Sequence, residues 1–416
     1  MAHDQTNRTD RRRFLQTGAV ATAAAMSTAP GAEAQQGAPA PAKTPVLPQR
    51  RLGKSGIEVT LLEQGATRGP SADRVLRFAF ARGVRLFDTA RVYGTEINFK
   101  KWFEQDPAVR KQIVLVTKDM PRQPRDLLRM VDQRLKALGT DYIDLFFIHG
   151  LGDPPLGLDN SLEFITSPEF KDVADKIRNS GKARAIGFSS HHRDRAALIQ
   201  AAAEGGVVDA IMLQYRPWLD RDSPLNKALD AAWKKGIGLI SMKQIASQIF
   251  GDRPQGDILQ DVVRRVPVLA EKHLTPFQGL LHAIWTDERI SAACVSMRNT
   301  EQIRENADAA QRFEPLKTAE ILQLRDATRA YGPTLCADCE GQCSLAAGTK
   351  AELGNLTRFL TYYKHLGDRA EARRLYAELS QEARDWSGAD LEAARAACPD
   401  RLDFAKLLPE VDRHLA

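Results

Sequence analysis

The chain has 416 residues, of which 43% are hydrophobic and 27% charged, and a formal charge of +6. That is globular composition, with length for one large domain and a smaller appendage. The positive charge is spread rather than gathered into a basic stripe with interleaved aromatics, which argues against nucleic-acid binding. No apolar run is long enough for a membrane span.

The first residues read as an address. Arg11-Arg12-Arg13-Phe14-Leu15-Gln16 precedes an Ala-rich apolar stretch from Gly18 to Met26, and Ala32-Glu33-Ala34 offers a small-residue cleavage site. The order of basic, apolar and cleavage regions resembles a twin-arginine export signal over residues 1–34, which implies passage to the periplasm. Residues 35–48, rich in Ala, Pro and Gln, read as an extended linker.

From residue 49 the pattern alternates. Arg50–Thr60 holds a Gly-Lys-Ser-Gly turn and predicts a hairpin, and Leu61-Leu62 begins a strand ending near Gly65-Ala66-Thr67. Apolar runs at Val84–Phe87, Ile113–Thr117, Ile143–Ile148, Ala183–Phe188, Ala210–Gln214, Gly238–Met242 and Ala292–Ser296 predict further strands. Between them, helical spacing is found at Ala72–Arg82, Glu96–Glu104, Arg125–Leu138, Phe170–Asn179, Arg195–Glu204, Asn226–Lys234, Phe277–Ile284 and Thr300–Ala310. About eight strand–helix units predict an α/β fold, a (β/α)8 TIM barrel over residues 49–331. A doubly wound open sheet is the alternative, but Gly65-Ala66-Thr67-Arg68-Gly69 does not supply its Gly-rich fingerprint. Over residues 332–416 the reading is a small, mostly helical, cysteine-containing domain.

Three successive strands end in groups able to move protons. Asp88 and Tyr93 follow the second strand, Lys118 the third and His149 the fourth. Reducing a carbonyl needs a hydride for carbon and a proton for oxygen. A tyrosine gives the proton if a neighbouring ammonium favours its phenolate. Asp88 would hold and charge Lys118, Lys118 would lower the Tyr93 pKa, and His149 would polarise the carbonyl oxygen. Each residue alone also has an ordinary structural explanation, as a cap, a rim aromatic, a solvated cation or a core histidine.

Phe87-Asp88-Thr89-Ala90-Arg91-Val92-Tyr93-Gly94, Val116-Thr117-Lys118, Leu138–Leu145 with Ile148-His149, and Ala185–Ser190 together resemble the motifs of the aldo/keto reductases. The resemblance implies NAD(P)H-dependent reduction of an aldehyde or ketone, or the reverse alcohol oxidation. It assigns the cofactor to Gly65, Ala66, Thr67, Ser189, Ser190, Gln214, Met242, Arg298 and Asn306. Two of these, and one further position, depart from the family pattern. Ser190 stands where Asn is frequent, Met242 where an aromatic is frequent, and Gln302 replaces a basic residue that grips a 2′-phosphate. Arg298 could take over that last task, so NADP and NAD both stay open. The competing reading is a nicotinamide-binding regulatory module with little turnover.

The chain has five cysteines. Cys294 lies in an apolar run and reads as a buried small hydrophobe. Cys336, Cys339, Cys343 and the later Cys398-Pro399 could ligate a 4Fe-4S cluster or zinc, or form disulfides. The arrangement resembles the ferredoxin-like tails of some aldo/keto reductases, which implies an electron-transfer partner. The expected substrate is a small-molecule carbonyl.

Overall fold

The computed structural model describes residues 45–244, 256–330, 341–364 and 369–416. Residues 1–34 and Cys336 and Cys339 lie outside them, as does most of the 35–48 linker.

A hairpin opens the described chain: β1 (Gln49–Arg51) pairs antiparallel with β2 (Glu58–Thr60). Eight parallel strands then close into a barrel. In chain order they are β3 (Leu62–Gln64), β4 (Leu86–Asp88), β5 (Val114–Asp119), β6 (Ile143–Ile148), β7 (Ala183–Ser190), β8 (Ala210–Gln214), β9 (Gly238–Met242) and β10 (Ile290–Val295), with β10 returning to β3. Closure excludes the open sheet.

The barrel follows from period-two alternation along each strand. Leu86, Val116, Leu145, Phe147, Ala185, Met212, Ile240 and Ala292 share one apolar cluster inside the barrel. Their neighbours Phe87, Leu115, Phe146, Ile186, Ile211, Leu239 and Ala293 belong to the larger cluster under the surrounding helices. The interior is tight. At Gly187 a Cβ would meet the Ala210 carbonyl oxygen at 1.9 Å and a Phe147 ring carbon at 2.8 Å, so only glycine lets β7 and β8 approach.

Several boundaries differ from the sequence reading. Asp88 and Lys118 lie within β4 and β5 rather than after them, and β7 extends to Ser190. Helices that went unread in the barrel include Pro107–Arg110, Gly157–Thr166, Gly256–Arg265 and Pro267–Glu271. Gly157–Thr166 starts straight after Pro154, Pro155 and Leu156, where local chemistry signals a loop.

The tail is helical. Its main segments, Leu353–Lys364, Arg369–Glu378, Leu391–Ala397 and Phe404–Leu415, gather around a separate apolar cluster that includes Leu356, Phe359, Phe404 and Leu408. Charged groups tie it to the barrel. Asp400 accepts a hydrogen bond from the buried Arg216 and another, at 3.2 Å, from Arg329 Nε. Arg358 donates to the His191 carbonyl, and Lys243 to the Tyr362 hydroxyl. Among the described residues no helix is long and apolar enough to cross a membrane.

Candidate active site

The alternation that builds the core also aims the polar residues. If Leu86, Val116 and Phe147 point inward, so do Asp88, Lys118 and His149 two positions later, at the C-terminal rim of the barrel. Tyr93 ends a short 3-10 turn, Arg91–Tyr93, which Gly94 closes with a φ of 66°. Arg91 Nε donates to Asp119 Oδ1 at 2.7 Å, fastening that turn to the strand that carries Lys118.

The four residues converge. Lys118 Nζ donates to Asp88 Oδ1 and, at 3.2 Å, to the Thr89 carbonyl. Asp88 is 4% and Lys118 1% exposed. Lys118 Nζ lies 5.4 Å from the Tyr93 ring centre. Tyr93 Oη is 3.3 Å from His149 Nε2, and the two rings meet edge to face. His149 Nδ1 is buried and has no hydrogen-bond partner among the described residues, so no neighbour there fixes the tautomer.

Burial dominates the ionisation of this group. It works against the Lys118 ammonium, but Asp88 and then Tyr93 outweigh it and Lys118 is pushed up. Burial raises Asp88, and Lys118 opposes the rise. His149 is held well below the usual histidine range by burial and by the charges of Lys118, Lys243, Arg374 and Arg68, so it is neutral at pH 7. Tyr93 departs from the expectation. Lys118 does act to lower it, but burial acts more strongly, and the phenol is pushed up to about 12.

The proposed cofactor residues divide into two groups. Ser189 faces inward by alternation, and its hydroxyl accepts from the Gly150 N–H at 3.1 Å, which leaves its own proton to give. Gln214 ends β8 next door and is fully buried. A hydroxyl and a primary amide suit a carboxamide. Met242 ends β9 and is partly buried against the barrel interior. Ser190 points outward, where it donates to the Leu151 carbonyl at 2.7 Å and accepts from His192 N–H at 3.2 Å; its proton is already committed. Thr67 is likewise engaged, donating to the Met297 carbonyl at 2.9 Å and accepting from Gln64. Gly65 packs so closely on Ser296 that a Cβ would meet its Oγ at 2.7 Å, and Ala66 follows it half-buried. Arg298 is exposed on the loop after β10, and Asn306 is buried in the helix Thr300–Gln311.

Sequence reasoning missed Glu63. Glu63 is 0% exposed, inside the barrel, and its carboxyl meets the Cys294 thiol. Burial and the neighbouring Asp88 hold its carboxyl well above the usual range, with Lys118 opposing. Cys294 is its register partner on β10 and is only partly buried, because alternation after Ala292 aims it into the barrel near Lys118. A lone acid in the run Leu61-Leu62-Glu63 was the available signal.

Among the described residues no group of three or more His, Cys, Asp or Glu forms a metal site. Cys343 and Cys398 are both buried in the apolar cluster of the tail.

Residues 59–329 match the model of the aldo/keto reductase family. The chain belongs to that family. It is an oxidoreductase, one that couples a carbonyl and its alcohol to NAD(P)H. Among curated relatives it is 26% identical over 292 residues to L-galactose dehydrogenase of Arabidopsis thaliana, covering 64% of this chain and 89% of that one. It is 24% identical over 331 residues to L-glyceraldehyde 3-phosphate reductase of Escherichia coli K12, covering 66% and 90%. NAD(P)H-dependent D-xylose reductase I,II of Candida tropicalis is 24% identical over 302 residues, covering 63% and 87%. The fold matches an aldo-keto reductase of Bacillus halodurans, solved in apo and holo forms, with a TM-score of 0.52 and 20% identity over 68% of this chain and 96% of that one. The family match stops before the tail.

Proposed function

We propose that Tyr93 protonates the carbonyl oxygen of an aldehyde or ketone, or takes the proton back from the alcohol. The observation that supports this most directly is the juxtaposition of Tyr93 Oη with His149 Nε2 at 3.3 Å, with Lys118 Nζ 5.4 Å from the phenol ring. A neutral His149 can donate to the same oxygen as negative charge develops there. Lys118 stabilises the phenolate that forms, and Asp88 keeps Lys118 charged and in place. A bound nicotinamide supplies or accepts the hydride. Ser189 and Gln214 fit its carboxamide, Met242 lies beside them, and Gly65, Ala66, Thr67, Ser190, Arg298 and Asn306 complete the assignment; Ser190 and Thr67 would contribute shape rather than a hydroxyl proton. NADP and NAD are separated by comparing kcat/KM for NADPH and NADH in wild type and Arg298→Gln. Tyr93→Phe is expected to lower carbonyl reduction by about two orders of magnitude or more while NADPH binding persists. Wild-type turnover in that variant would sink the assignment.

The 4Fe-4S cluster is a further proposal, held by Cys336, Cys339, Cys343 and Cys398. Two observations support it: the C-x-x-C-x-x-x-C spacing, and the burial of Cys343 and Cys398 together in one apolar cluster. The absorption spectrum and the iron and sulfide content of anaerobically purified protein test it against zinc and disulfides. An electron-transfer partner follows only if a cluster is found. Twin-arginine export to the periplasm is proposed from residues 1–34. Replacing Arg11 and Arg12 by Lys should leave the protein in the cytoplasmic fraction.

A further inference from the structure

The helical tail holds the barrel rim where the nicotinamide residues stand, and it does so through one helix face. Arg358 and Tyr362 lie four residues apart on the tail helix Leu353–Lys364, so their side chains share a face. Arg358 is 3% and Tyr362 5% exposed. Arg358 donates to the carbonyl of His191, the first residue past β7, and its guanidinium lies 4.0 Å from Asp153 on the loop after β6. Lys243, the first residue past β9, donates to the Tyr362 hydroxyl. Its φ is 54°, a left-handed conformation that a residue with a Cβ keeps only where its surroundings fix it. Between these two contacts the rim is continuous. The buried Arg195 donates from Nη1 to the His192 carbonyl at 2.9 Å and from Nε to the Gln214 carbonyl at 3.2 Å. The Tyr215 N–H donates to the Met242 carbonyl at 3.3 Å. The path from Arg358 along the ends of β7, β8 and β9 to Tyr362 therefore closes on the helix it started from, and Gln214 and Met242 lie on it.

We propose that the tail helix Leu353–Lys364 is a brace for the nicotinamide end of the cofactor site, with Arg358 and Tyr362 as its positioning residues. This rests on Ser189, Gln214 and Met242 being where the nicotinamide sits. Both residues act through the rim they hold. The loops after barrel strands are its most mobile parts, and hydride transfer tolerates little misplacement: a shift of about 1 Å can cost about two orders of magnitude in rate. The planar fork of Arg358 reaches the loops after β6 and β7 together, which an ammonium would not do as well. Tyr362 fixes the other end of the run at Lys243. Asp400, further along the tail, holds Arg216, two residues past Gln214, as a third point. All three tail residues lie beyond the part of the chain that matches the family, so the brace is an addition to the barrel. The residues assigned to the adenine end, Arg298 and Asn306, follow β10 and lie off the closed path, so the brace acts on one end of the dinucleotide.

The test uses the full chain and calorimetric titration with two pairs of ligands, NADPH against 2′-phospho-ADP-ribose and NADH against ADP-ribose. Each pair differs by the nicotinamide alone. Tyr362→Phe and Arg358→Lys, made separately, should each weaken the dinucleotide by about fivefold, the worth of one hydrogen bond, and leave the nicotinamide-free fragment within about twofold of wild type. Because the path is closed, either change opens it, so the double variant should lose less than the product of the two single losses. Tyr362→Phe removes one hydroxyl only and carries the test if Arg358→Lys does not fold. Equal weakening of dinucleotide and fragment, with a lowered thermal midpoint, gives the helix a general stabilising role and overturns the proposal. So does an unchanged dinucleotide affinity in both single variants. Gln214→Ala, measured in the same way, separates the brace from the reading beneath it. If Gln214→Ala loses the nicotinamide's share of the affinity and the tail variants do not, the brace alone fails. If Gln214→Ala loses none of it, the nicotinamide is not at this rim and both fail.

Discussion

Removing the buried ammonium of Lys118 gives the sharpest test of how this site handles its proton. Burial raises Tyr93 to about 12 while Lys118 works against it. At 5.4 Å from the phenol ring, and with an effective dielectric constant of about 20, one charge is worth about 3 kcal/mol, or about two pKa units. Lys118→Met should therefore raise Tyr93 by up to about that much. Asp88 is already raised by burial and would take up a proton once its partner is gone; that also removes the upward push its charge exerts on Tyr93, so about two units and about a hundredfold are the upper bound of the effect. In alcohol oxidation Tyr93 must act as the phenolate. Its population below the inflection falls tenfold for each unit of raised pKa. Log kcat/KM for alcohol oxidation should rise with pH in both proteins, with the variant running parallel and up to about a hundredfold lower. Lys118→Arg, which keeps the charge, should recover part of the loss. The assay is steady-state oxidation from pH 7 to 10, with NADP affinity and thermal midpoint measured alongside. A displacement below threefold, with cofactor binding intact, would refute the electrostatic role.

Glu63→Gln should stabilise the fold, and more so at pH 8 than at pH 5. Below the ordinary value of 4.5 both states hold the proton; above it the unfolded chain releases it while the folded chain keeps it, so wild-type stability falls as pH rises toward the elevated folded pKa, with a slope of up to about 1.4 kcal/mol per unit. Urea titrations giving the same difference at both pH values would show that Glu63 does not titrate this way. Asp400→Asn should destabilise by about 3–5 kcal/mol, because the buried Arg216 loses its charge partner, whereas Arg216→Met with Asp400→Leu should recover much of that loss. Chemical denaturation of the two variants checks the pair, and equal losses in both would contradict it. Gly187→Ala should cost about 3 kcal/mol or more, since the new methyl overlaps the Ala210 carbonyl. A thermal midpoint within a degree of wild type would show that β7 and β8 can separate freely.

The barrel was legible because its rule is local. Each strand is a short apolar run with punctuated ends, and a period of two sends alternate residues to the two clusters. That rule placed Asp88, Lys118 and His149 on one rim without any knowledge of distance. Applied strictly, it also separates Ser189 from Ser190, which reading the pair as a motif had treated alike. It would have exposed Glu63 too, since an acid two residues before Gly65 can point only into the barrel or under its helices. What alternation does not carry is the sum of fields at one point. The Lys118 charge lowers Tyr93 as expected, yet desolvation by everything packed around the phenol is larger, and no single residue announces it. The tail is the extreme case. Arg216 and Asp400 are 184 positions apart, Lys243 and Tyr362 119 apart, and their pairing depends on how the tail's helices settle against the barrel. A family pattern that ends at residue 329 gives no hint of it. The motif is therefore readable residue by residue, while the contacts between tail and barrel exist only in the folded chain.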